Sequence, residues 1–390
     1  MKTASRFVAA ASLLAFAWLG VGTVWALDAA AGRVIRIGPE REIRTLQQAS
    51  RLVRDGDILE VDAGDYRRDV AVWTHDRLEF RAVGGRVRLL ADGASAEGKG
   101  IWVVRGGTVS VDGFDFIGAR VPDRNGAGIR FEKGVLRIRD CRFLDNENGI
   151  LTASDGESAL EISNSEFARN GFGDGQSHNL YVGAIARLTV TGSYFHHARV
   201  GHLLKSRARE SRILYNRLTD EIGGTASYEL EFPNGGVAYV IGNLIQQSST
   251  TENPHIIAYG AEGYRGENNH LYLANNTLVD GRTQGGVFLR LTPGTRTVFA
   301  INNILVGAGS LESAGPGTYR NNFNAGWDEF ERAARDDYRL THNSSLRFKG
   351  VEPPQVGNMS LRPEQQYVHP RSSRPLRVER LSPGAFQVDG

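Results

Sequence analysis

The chain has a single cysteine, Cys141, among its 390 residues, so it cannot form an internal disulfide and its fold must be held together by packing. Proline is scarce as well, with 12 residues, whereas 47 glycines suit a chain with many tight turns. The chain also lacks an excess of either charge, because 46 basic and 44 acidic residues leave a formal net charge of +2. Such a balance gives no argument for binding nucleic acid or a membrane surface, so any electrostatic preference must come from local clusters.

The first residues have the pattern of a targeting signal. Lys2 and Arg6 precede an apolar run from Phe7 to Val24, and Ala26 supplies the small residue expected before a cleavage site. We therefore expect residues 1–26 to be a signal peptide and the mature chain to be a bacterial periplasmic or extracellular protein, without a membrane anchor after cleavage. An uncleaved anchor is the alternative, since the run is only slightly shorter than the roughly 20 residues of a spanning helix.

A short sequence motif repeats along most of the chain: a turn residue of the Asn, Gly, Asp or Ser type, one further residue, and then an apolar Phe, Leu or Ile. The copies are about 23 to 33 residues apart, which is typical of solenoid architectures. A bladed propeller would need units of roughly 40 residues or more. The copies lie around Phe116, Phe143, Phe167, Phe195, Leu218, Ile245, Leu278 and Leu305.

Two short apolar segments with the pattern of strands precede each copy of the motif, for example residues 128–131 and 135–138. Three strands per coil, with no helical period between them, predict an all-β fold, the right-handed parallel β-helix. One coil cannot bury its own apolar residues, so coils must stack. Asparagine tolerates left-handed backbone angles and bonds nearby main chain, so the turn asparagines are expected to form a ladder. These are Asn164, Asn216, Asn243, Asn276 and Asn303.

The two ends of the solenoid differ from its coils. Residues 45–53 have helical spacing of apolar positions and predict an N-terminal capping helix, because a solenoid end must be covered. We assign residues 27–322 to the β-helix domain and residues 323–390 to a C-terminal tail that wraps the last coil, with a short helix from Trp327 to Arg335. The protein is expected to be a monomer.

The start of the mature chain resembles a known superfamily. The capping helix, the turn at Asp55-Gly56-Asp57 with the strand after it, and Gly64-Asp65-Tyr66 are together similar to the first segment of the pectate-lyase-like right-handed β-helix superfamily. The resemblance covers residues 45–322. It implies the fold and leaves the substrate open, so function has to be argued from the site.

Polar residues of unusual type concentrate in successive coils between Gln176 and Glu262. Side chains alternate between the two faces of a strand, and neighbouring strands lie about 4.8 Å apart, so outward residues of adjacent coils converge on one groove. A slip of one residue would send them to the opposite face. The residues expected to face outward are Asn179, Tyr181, Lys205, Glu229 and Glu231.

This set suits β-elimination or epimerisation at a uronic acid, in which a base removes the proton α to a carboxylate. Lys and Tyr can transfer that proton, and Arg binds a carboxylate through two hydrogen bonds. A basic stretch in the same coils favours an acidic polysaccharide as partner: Arg199, His202, Lys205, Arg207, Arg209 and Arg212. We predict Tyr181, Lys205, Arg207 and Glu231 as catalytic residues. The predicted substrate-binding residues are His178, Asn179, His202, Glu229, His255, Tyr259 and Glu262.

Leu204-Lys205-Ser206 is also similar to the chondroitinase-B and alginate-lyase branch of the β-helix lyases. That resemblance implies that Lys205 is the proton acceptor. The branch has an arginine on the following coil strand, where this chain has Glu229 and Glu231. Arg207 is therefore our candidate for the role of that arginine. The branch's calcium-binding acidic set is not recognisable and no metal site is predicted, although the two glutamates could bind Ca²⁺.

Three functions from different classes stay open. The leading one is a secreted polysaccharide lyase, or a related epimerase. The second is a glycoside hydrolase on the same scaffold, with Glu229, Glu231 or Glu262 as its carboxylates. The third is a non-catalytic carbohydrate-binding or surface β-helix, in which Lys205 and the glutamates form a structural ion pair.

Overall fold

The computed structural model describes residues 32–388 of the chain. The expected signal peptide, residues 1–26, lies outside the described residues, so its cleavage stays a prediction. Within residues 32–388, no helix is long and apolar enough to cross a membrane.

The strands between residues 34 and 325 pair in parallel and wind about ten turns of a right-handed parallel β-helix, which confirms the predicted fold class. The strands are β1 Val34–Ile37, β2 Ile58–Arg67, β3 Ala71–Trp73, β4 Arg77–Leu90, β5 Gly100–Asp112, β6 Phe114–Ile117, β7 Ala127–Arg139, β8 Arg142–Leu144, β9 Asn148–Thr152, β10 Ala159–Ser163, β11 Glu166–Ala168, β12 Leu180–Val182, β13 Arg187–Thr191, β14 Tyr194–His196, β15 Leu204–Ser206, β16 Glu210–Leu214, β17 Arg217–Thr219, β18 Leu230–Phe232, β19 Val237–Ile241, β20 Leu244–Gln247, β21 His255–Tyr259, β22 His270–Ala274, β23 Thr277–Asp280, β24 Val287–Leu291, β25 Thr297–Ile301, β26 Ile304–Val306, β27 Thr318–Arg320 and β28 Phe323–Ala325.

Equivalent strands of the regular coils stack into three walls. The first wall contains β9, β12, β15, β18, β21 and β24; the second contains β10, β13, β16, β19, β22 and β25; the third contains β11, β14, β17, β20, β23 and β26. Strand β13 is typical of the second wall, because Leu188 and Val190 are buried in the core while Arg187 is exposed. The core therefore runs through the middle of the coils and each wall presents its other face outward.

The N-terminal end is capped by a helix, α1 Leu46–Ala49, as predicted, although it is shorter than the helical pattern of residues 45–53. The hydroxyl of Thr45 accepts a hydrogen bond from the Gln48 N–H at 3.0 Å. The carboxylate of Asp69 accepts from the Leu46 and Gln47 N–H groups at 2.7 and 2.8 Å. Buried Leu46 and Ala49 seal the first coil.

The recurring apolar position forms a stack inside the third wall. Phe116, Phe143, Phe167 and Phe195 are fully buried, and the ring centroids of successive pairs lie 5.0, 4.7 and 4.6 Å apart. Leu218 continues the stack in the next coil. These distances match the spacing of neighbouring strands, so the sequence repeat corresponds to one coil.

Asparagines form a continuous ladder at the turn from the second wall to the third. The Asn216 N–H donates to Oδ1 of Asn243 at 2.8 Å, and the Asn243 N–H donates to Oδ1 of Asn276 at 3.0 Å. Asn276 in turn bonds Asn303, and Asn303 bonds Asn322. Asn164 is not a member, because the ladder passes through Ser165 in that coil. The left-handed backbone angle is adopted by the residue just before each ladder asparagine, for example Asn275 and Asn302, and not by the ladder asparagine itself.

Three predicted groove residues, Asn179, Glu229 and Tyr259, instead have fully buried side chains. The expectation that Asn179 and Glu229 face outward is wrong because β12 and β18 begin one residue later, and both positions lie in the corner before the strand. The Asn179 side chain accepts from the Asn170 N–H at 3.1 Å and donates to the His196 carbonyl at 2.9 Å. The Tyr259 hydroxyl donates to a backbone carbonyl, that of Gly236.

Glu229 lies inside the coil without a hydrogen-bond partner on either carboxylate oxygen among residues 32–388. Burial raises its pKa well above the ordinary value, and repulsion from Asp220 and Asp280 adds to the effect. Burial also raises the pKa of Asp220 to about 7. Glu229 therefore cannot bind substrate or calcium in the outer groove.

The C-terminal tail forms three antiparallel strand pairs: β29 Phe330–Arg332 with β30 Asp337–Leu340, β31 Gln355–Val356 with β32 Met359–Ser360, and β33 Gln365–Val368 with β34 Ser372–Pro375. The expected helix from Trp327 to Arg335 is wrong, because β29 separates two short 3₁₀ turns, Trp327–Glu329 and Ala333–Arg335. The parallel ladder ends at Ala325, near the expected boundary at residue 322.

The tail does not stay on the last coil. The Glu364 N–H donates to the Tyr215 hydroxyl at 2.9 Å, and Arg371 pairs with Asp140 at 3.0 Å. The tail thus runs back across the coils and braces their outer faces.

Replacing Asn243 by alanine removes one rung of the ladder. We expect the free energy of unfolding to fall by about 2 to 4 kcal/mol, because the buried N–H of Asn216 and the carbonyl of Ile213 lose their partners. Urea unfolding measures the change, and Asn268→Ala in an exposed loop is the matched control. Equal stability of the two variants would contradict the ladder's role.

Replacing Glu229 by glutamine removes a buried acid. The raised pKa means that the unfolded state releases its proton first, so wild-type stability falls as pH rises above the unfolded pKa, near 4.3. We expect Glu229→Gln to melt at a higher temperature than wild type at about pH 8, and the difference to shrink towards about pH 4. Glu267→Gln, at an exposed position, is the control. A difference that does not vary with pH would refute the assignment.

Candidate active site

The register of the first wall brings three predicted residues side by side. Tyr181 on β12 lies opposite Lys205 on β15, and Lys205 lies opposite Glu231 on β18. Each of these strands is regular at that position, with apolar neighbours such as Leu180 and Leu204 pointing into the core. Phenol, ammonium and carboxylate therefore share one outer row, as strand alternation predicts.

Lys205 lies between two carboxylates. Its Nζ is 2.9 Å from Oε2 of Glu231 and 2.9 Å from Oε1 of Glu262, which comes from the loop after β21. Only a tenth of the Lys205 side chain is exposed, and Glu231 is almost fully buried beneath it. Glu262 is more open, with 44% of its side chain exposed. The ammonium is thus fixed from below by one carboxylate and covered by a more exposed one.

Arg207 connects the ends of this row. Its Nη1 lies 2.6 Å from Oε2 of Glu262 and donates to Oδ1 of Asn234 at 2.7 Å. Its Nε donates to the Tyr181 hydroxyl at 3.0 Å, with the guanidinium carbon 5.6 Å from the ring centroid. One guanidinium therefore orients both the phenol and the exposed carboxylate.

Two stacked histidines complete the floor of the site. The rings of His178 and His202 are 4.4 Å apart, and His178 also stacks on Tyr181 at 5.5 Å. Nε2 of His202 lies 2.9 Å from Oε2 of Glu231. Nδ1 of His178 accepts the backbone N–H of His202 at 2.9 Å, so this nitrogen carries no proton.

The electrostatics of the site follow from burial and close charge pairs. Burial acts to raise the pKa of Glu231, but His202 and Lys205 outweigh it and hold the pKa below the ordinary value. The bond from Arg207, helped by Lys205, lowers the pKa of Glu262 to about 2. Burial lowers the pKa of both His178 and His202, most strongly for His178, where His202, Lys205 and Arg207 add to it. Both glutamates are consequently ionised at neutral pH.

The remaining predicted residues are dispersed. His255 lies further along the first wall, where its Nδ1 is 2.9 Å from Oδ1 of Asn253. Arg199 pairs with Asp145, and Arg212 pairs with Glu210 on the second wall. The basic stretch thus contributes only His202, Lys205 and Arg207 to the cluster, while Asn179, Glu229 and Tyr259 are interior.

Two residues of the site, Asn234 and Arg290, were not among the residues predicted from the sequence. Asn234 looked like a turn residue, yet it binds Arg207 and its Nδ2 donates to the Gly263 carbonyl at 2.9 Å. Arg290 on β24 donates to the Tyr228 hydroxyl at 2.8 Å. The sequence feature that could have identified Arg290 is its position as a lone arginine in an otherwise apolar strand. In the structure it is in register with the small Ala258. Ala258 leaves room between Glu231 and Arg290 along the row.

The cluster is not suited to a divalent cation. The oxygens that would bind calcium, those of Glu231 and Glu262, both face the Lys205 ammonium at 2.9 Å, and its charge would repel the ion. Among residues 32–388, no group of three or more His, Cys, Asp or Glu side chains is arranged to hold a metal ion. The cations of the cluster itself are Lys205 and Arg207.

No protein-family model matches the chain, and no curated protein sequence matches it either. Among solved structures, the chain is similar to the crystal structure of pectate lyase Pel9A, with a TM-score of 0.58 and 11% sequence identity. The similarity covers 92% of this chain and 97% of that one. The similarity concerns the fold, so the chain has the pectate-lyase-like right-handed parallel β-helix fold that its sequence predicts.

Proposed function

We propose that this protein is a polysaccharide lyase, or a mechanistically related epimerase, that acts on a uronic acid of an acidic polysaccharide in the periplasm or outside the cell. The observation that supports it best is the outer row of Tyr181, Lys205 and Glu231, with Arg207 joining Tyr181 to Glu262. It combines a proton-transfer group with two cations at carboxylate-binding distance.

Lys205 and Arg207 form the carboxylate-binding pair. Glu262 already shows the geometry, because one of its oxygens faces Lys205 at 2.9 Å and the other faces Arg207 at 2.6 Å. A uronate carboxylate has the same shape and charge, and it can take this position when the exposed Glu262 side chain moves aside. Neutralising that carboxylate makes the adjacent C–H more acidic.

Tyr181 is the proton-transfer group in this proposal, in place of the Lys205 suggested by the family resemblance. The Lys205 ammonium donates to Glu262 and lies 2.9 Å from an oxygen of Glu231, whereas the Tyr181 oxygen accepts an N–H from Arg207. An oxygen held by a guanidinium can act as a proton acceptor and later as a donor. Lys205 then stabilises the negative charge that develops on the substrate.

The step balances with these groups. The Tyr181 hydroxyl first releases its own proton to solvent, and its oxygen then takes the proton α to the carboxylate. The electron pair of that C–H bond becomes a carbon–carbon double bond as the β carbon–oxygen bond breaks and its electrons stay on the leaving oxygen. The same proton passes from Tyr181 to the leaving oxygen, which regenerates the phenolate. In an epimerase the carbon–oxygen bond stays intact, and a proton from solvent is added to the opposite face of the carbon while Tyr181 keeps the proton that it removed.

The glycoside hydrolase alternative is disfavoured by the charges of the glutamates. Hydrolysis needs one carboxyl group with a raised pKa that can protonate the leaving oxygen. The pKa of Glu231 is below its ordinary value and that of Glu262 is about 2, so both stay ionised. Glu229 has a raised pKa but lies inside the coil.

The proposed function is tested by incubating the protein with pectate, alginate, chondroitin and hyaluronan. Elimination creates a double bond conjugated to the carboxylate, so far-ultraviolet absorbance rises with time. New reducing ends without this absorbance would indicate hydrolysis, an unchanged polymer with inverted sugars would indicate epimerisation, and binding without any product would leave the carbohydrate-binding alternative.

Tyr181→Phe removes the hydroxyl and keeps the ring. We expect elimination to slow by about 10²-fold or more, because general acid–base groups contribute rate factors of that size, while polymer binding persists. Tyr239→Phe is the matched control, since Tyr239 lies on the second wall and stacks on Tyr272. The measurement is the rate at which the absorbance of the unsaturated product rises with each variant. Wild-type activity in Tyr181→Phe would exclude this role for Tyr181.

Glu262→Gln removes the carboxylate that competes with substrate for Lys205 and Arg207. An exposed ion pair is worth up to about 1 kcal/mol, so we expect KM for the polymer to fall by up to roughly fivefold. Glu312→Gln, at an exposed position outside the site, serves as control. A higher KM in Glu262→Gln would mean that Glu262 binds the substrate directly.

A further inference from the structure

A separate cavity lies where the C-terminal tail crosses the third wall. It has a volume of about 570 Å³, which is within the range of small-molecule sites. Arg217 of β17 forms its wall on the solenoid side, and β30, β33 and β34 of the tail supply the other sides. It shares no residue with the candidate active site.

The cavity is built on a fixed frame. Arg217 is buried and lies 2.9 Å from Oε1 of Glu221, which also accepts the Tyr194 hydroxyl at 2.7 Å. Gln246 donates to Oδ1 of Asp336 at 2.8 Å and ties the tail to the third wall. The cavity therefore does not depend on a loose surface loop for its shape.

The lining carries more positive than negative charge. Its five arginines face two aspartates, Asp336 and Asp337, on a chain whose formal net charge is only +2. Asp337 pairs with Arg339 at 2.7 Å and with Arg332 at 3.4 Å, and Asp336 lies 3.7 Å from Arg217. Within residues 32–388, Arg335 and Arg374 form no ion pair, so two guanidiniums are free to bind an anion.

Aromatic rings line the same space. Four aromatic side chains belong to the lining: Tyr338 and Tyr367 are nearly fully buried, whereas Phe386 is half-buried and His369 is exposed. Flat apolar rings pack against the faces of sugar rings, and guanidinium groups bind carboxylate or phosphate through two hydrogen bonds. Ring faces and spare guanidiniums in one cavity fit a cyclic molecule with an anionic group.

We propose that this cavity is a binding site for a compact anionic sugar, either a single uronic acid or a sugar phosphate. Arg335 and Arg374 bind the anionic group, and the accessible rings of His369 and Phe386 contact the sugar ring. The site is independent of the proposed lyase activity, because it requires neither Lys205 nor Tyr181.

Isothermal titration calorimetry on the full chain tests the proposal with four probes: galacturonate, glucose 6-phosphate, inorganic phosphate and glucose. We expect saturable binding of galacturonate or glucose 6-phosphate and none of glucose. The stronger of the two anionic sugars identifies the group that the site prefers. Weaker binding of inorganic phosphate is expected, because it lacks a ring to contact His369 and Phe386.

Two variants separate this cavity from the rest of the surface. Arg335→Gln combined with Arg374→Gln is expected to weaken binding by roughly tenfold or more, since two charge-assisted contacts are lost. Both side chains are exposed, so the fold should tolerate the change. Arg377→Gln, an exposed arginine outside the lining, should bind like wild type, as should Lys205→Ala in the outer groove.

Three results would overturn the proposal. The first is that neither anionic sugar binds, and the second is that affinity is unchanged in the double arginine variant. The third is that binding is lost in Lys205→Ala, which would place the sugar in the groove of the first wall.

Discussion

The hydrogen-bonded register between parallel coils is the constraint on which the rest of this structure depends. One coil has too little apolar surface to fold alone, and only stacking makes a continuous core. Once β12, β15 and β18 pair residue by residue, every side chain on them has a fixed neighbour about 4.8 Å away in the coils above and below. The Phe143 and Phe167 stack and the Asn243 and Asn276 rungs are consequences of that register, and both reinforce it.

The same register makes a site from residues that are far apart in the chain. Tyr181, Lys205 and Glu231 are spaced by 24 and 26 positions in sequence, yet they are adjacent in space because each occupies the same place in its coil. Regular strands hold these three side chains, while the more adaptable Glu262 arrives from a loop. Rigid strands suit groups that must keep their geometry through a reaction, and a loop suits a group that must move.

The sequence predicted the features that depend on the length of the repeat and on the alternation of side chains along a strand. The spacing of Phe116 and Phe143 specifies the coil, and the inward Leu180 and Leu204 specify that Tyr181 and Lys205 face outward. Alternation failed for Asn179 and Glu229, because a strand's first residue is set by the corner before it and sequence does not locate that corner to one residue.

Contacts that depend on loop paths and tertiary packing were not predictable. The approach of Glu262 to Arg207 depends on how the loop after β21 folds back, and no periodic signal describes it. The helix expected from Trp327 to Arg335 is replaced by β29, where the Phe330 ring packs edge-on against Tyr338 at 5.4 Å. Tertiary burial of two rings outweighs a local preference that is weak by comparison.

Glu229 and Glu231 illustrate how the position of a residue in its coil determines the pKa of its side chain. They are two residues apart, both are almost inaccessible, and both would lose hydration energy if charged. Lys205 and His202 stabilise the charged form of Glu231 and lower its pKa, whereas Glu229 has no hydrogen-bond partner within residues 32–388 and its pKa rises. A buried carboxylate needs adjacent cations to remain ionised. In the outer row Glu231 has these cations and holds Lys205 in place, whereas the interior Glu229 two positions earlier has none beside it and contributes an energetic cost when ionised.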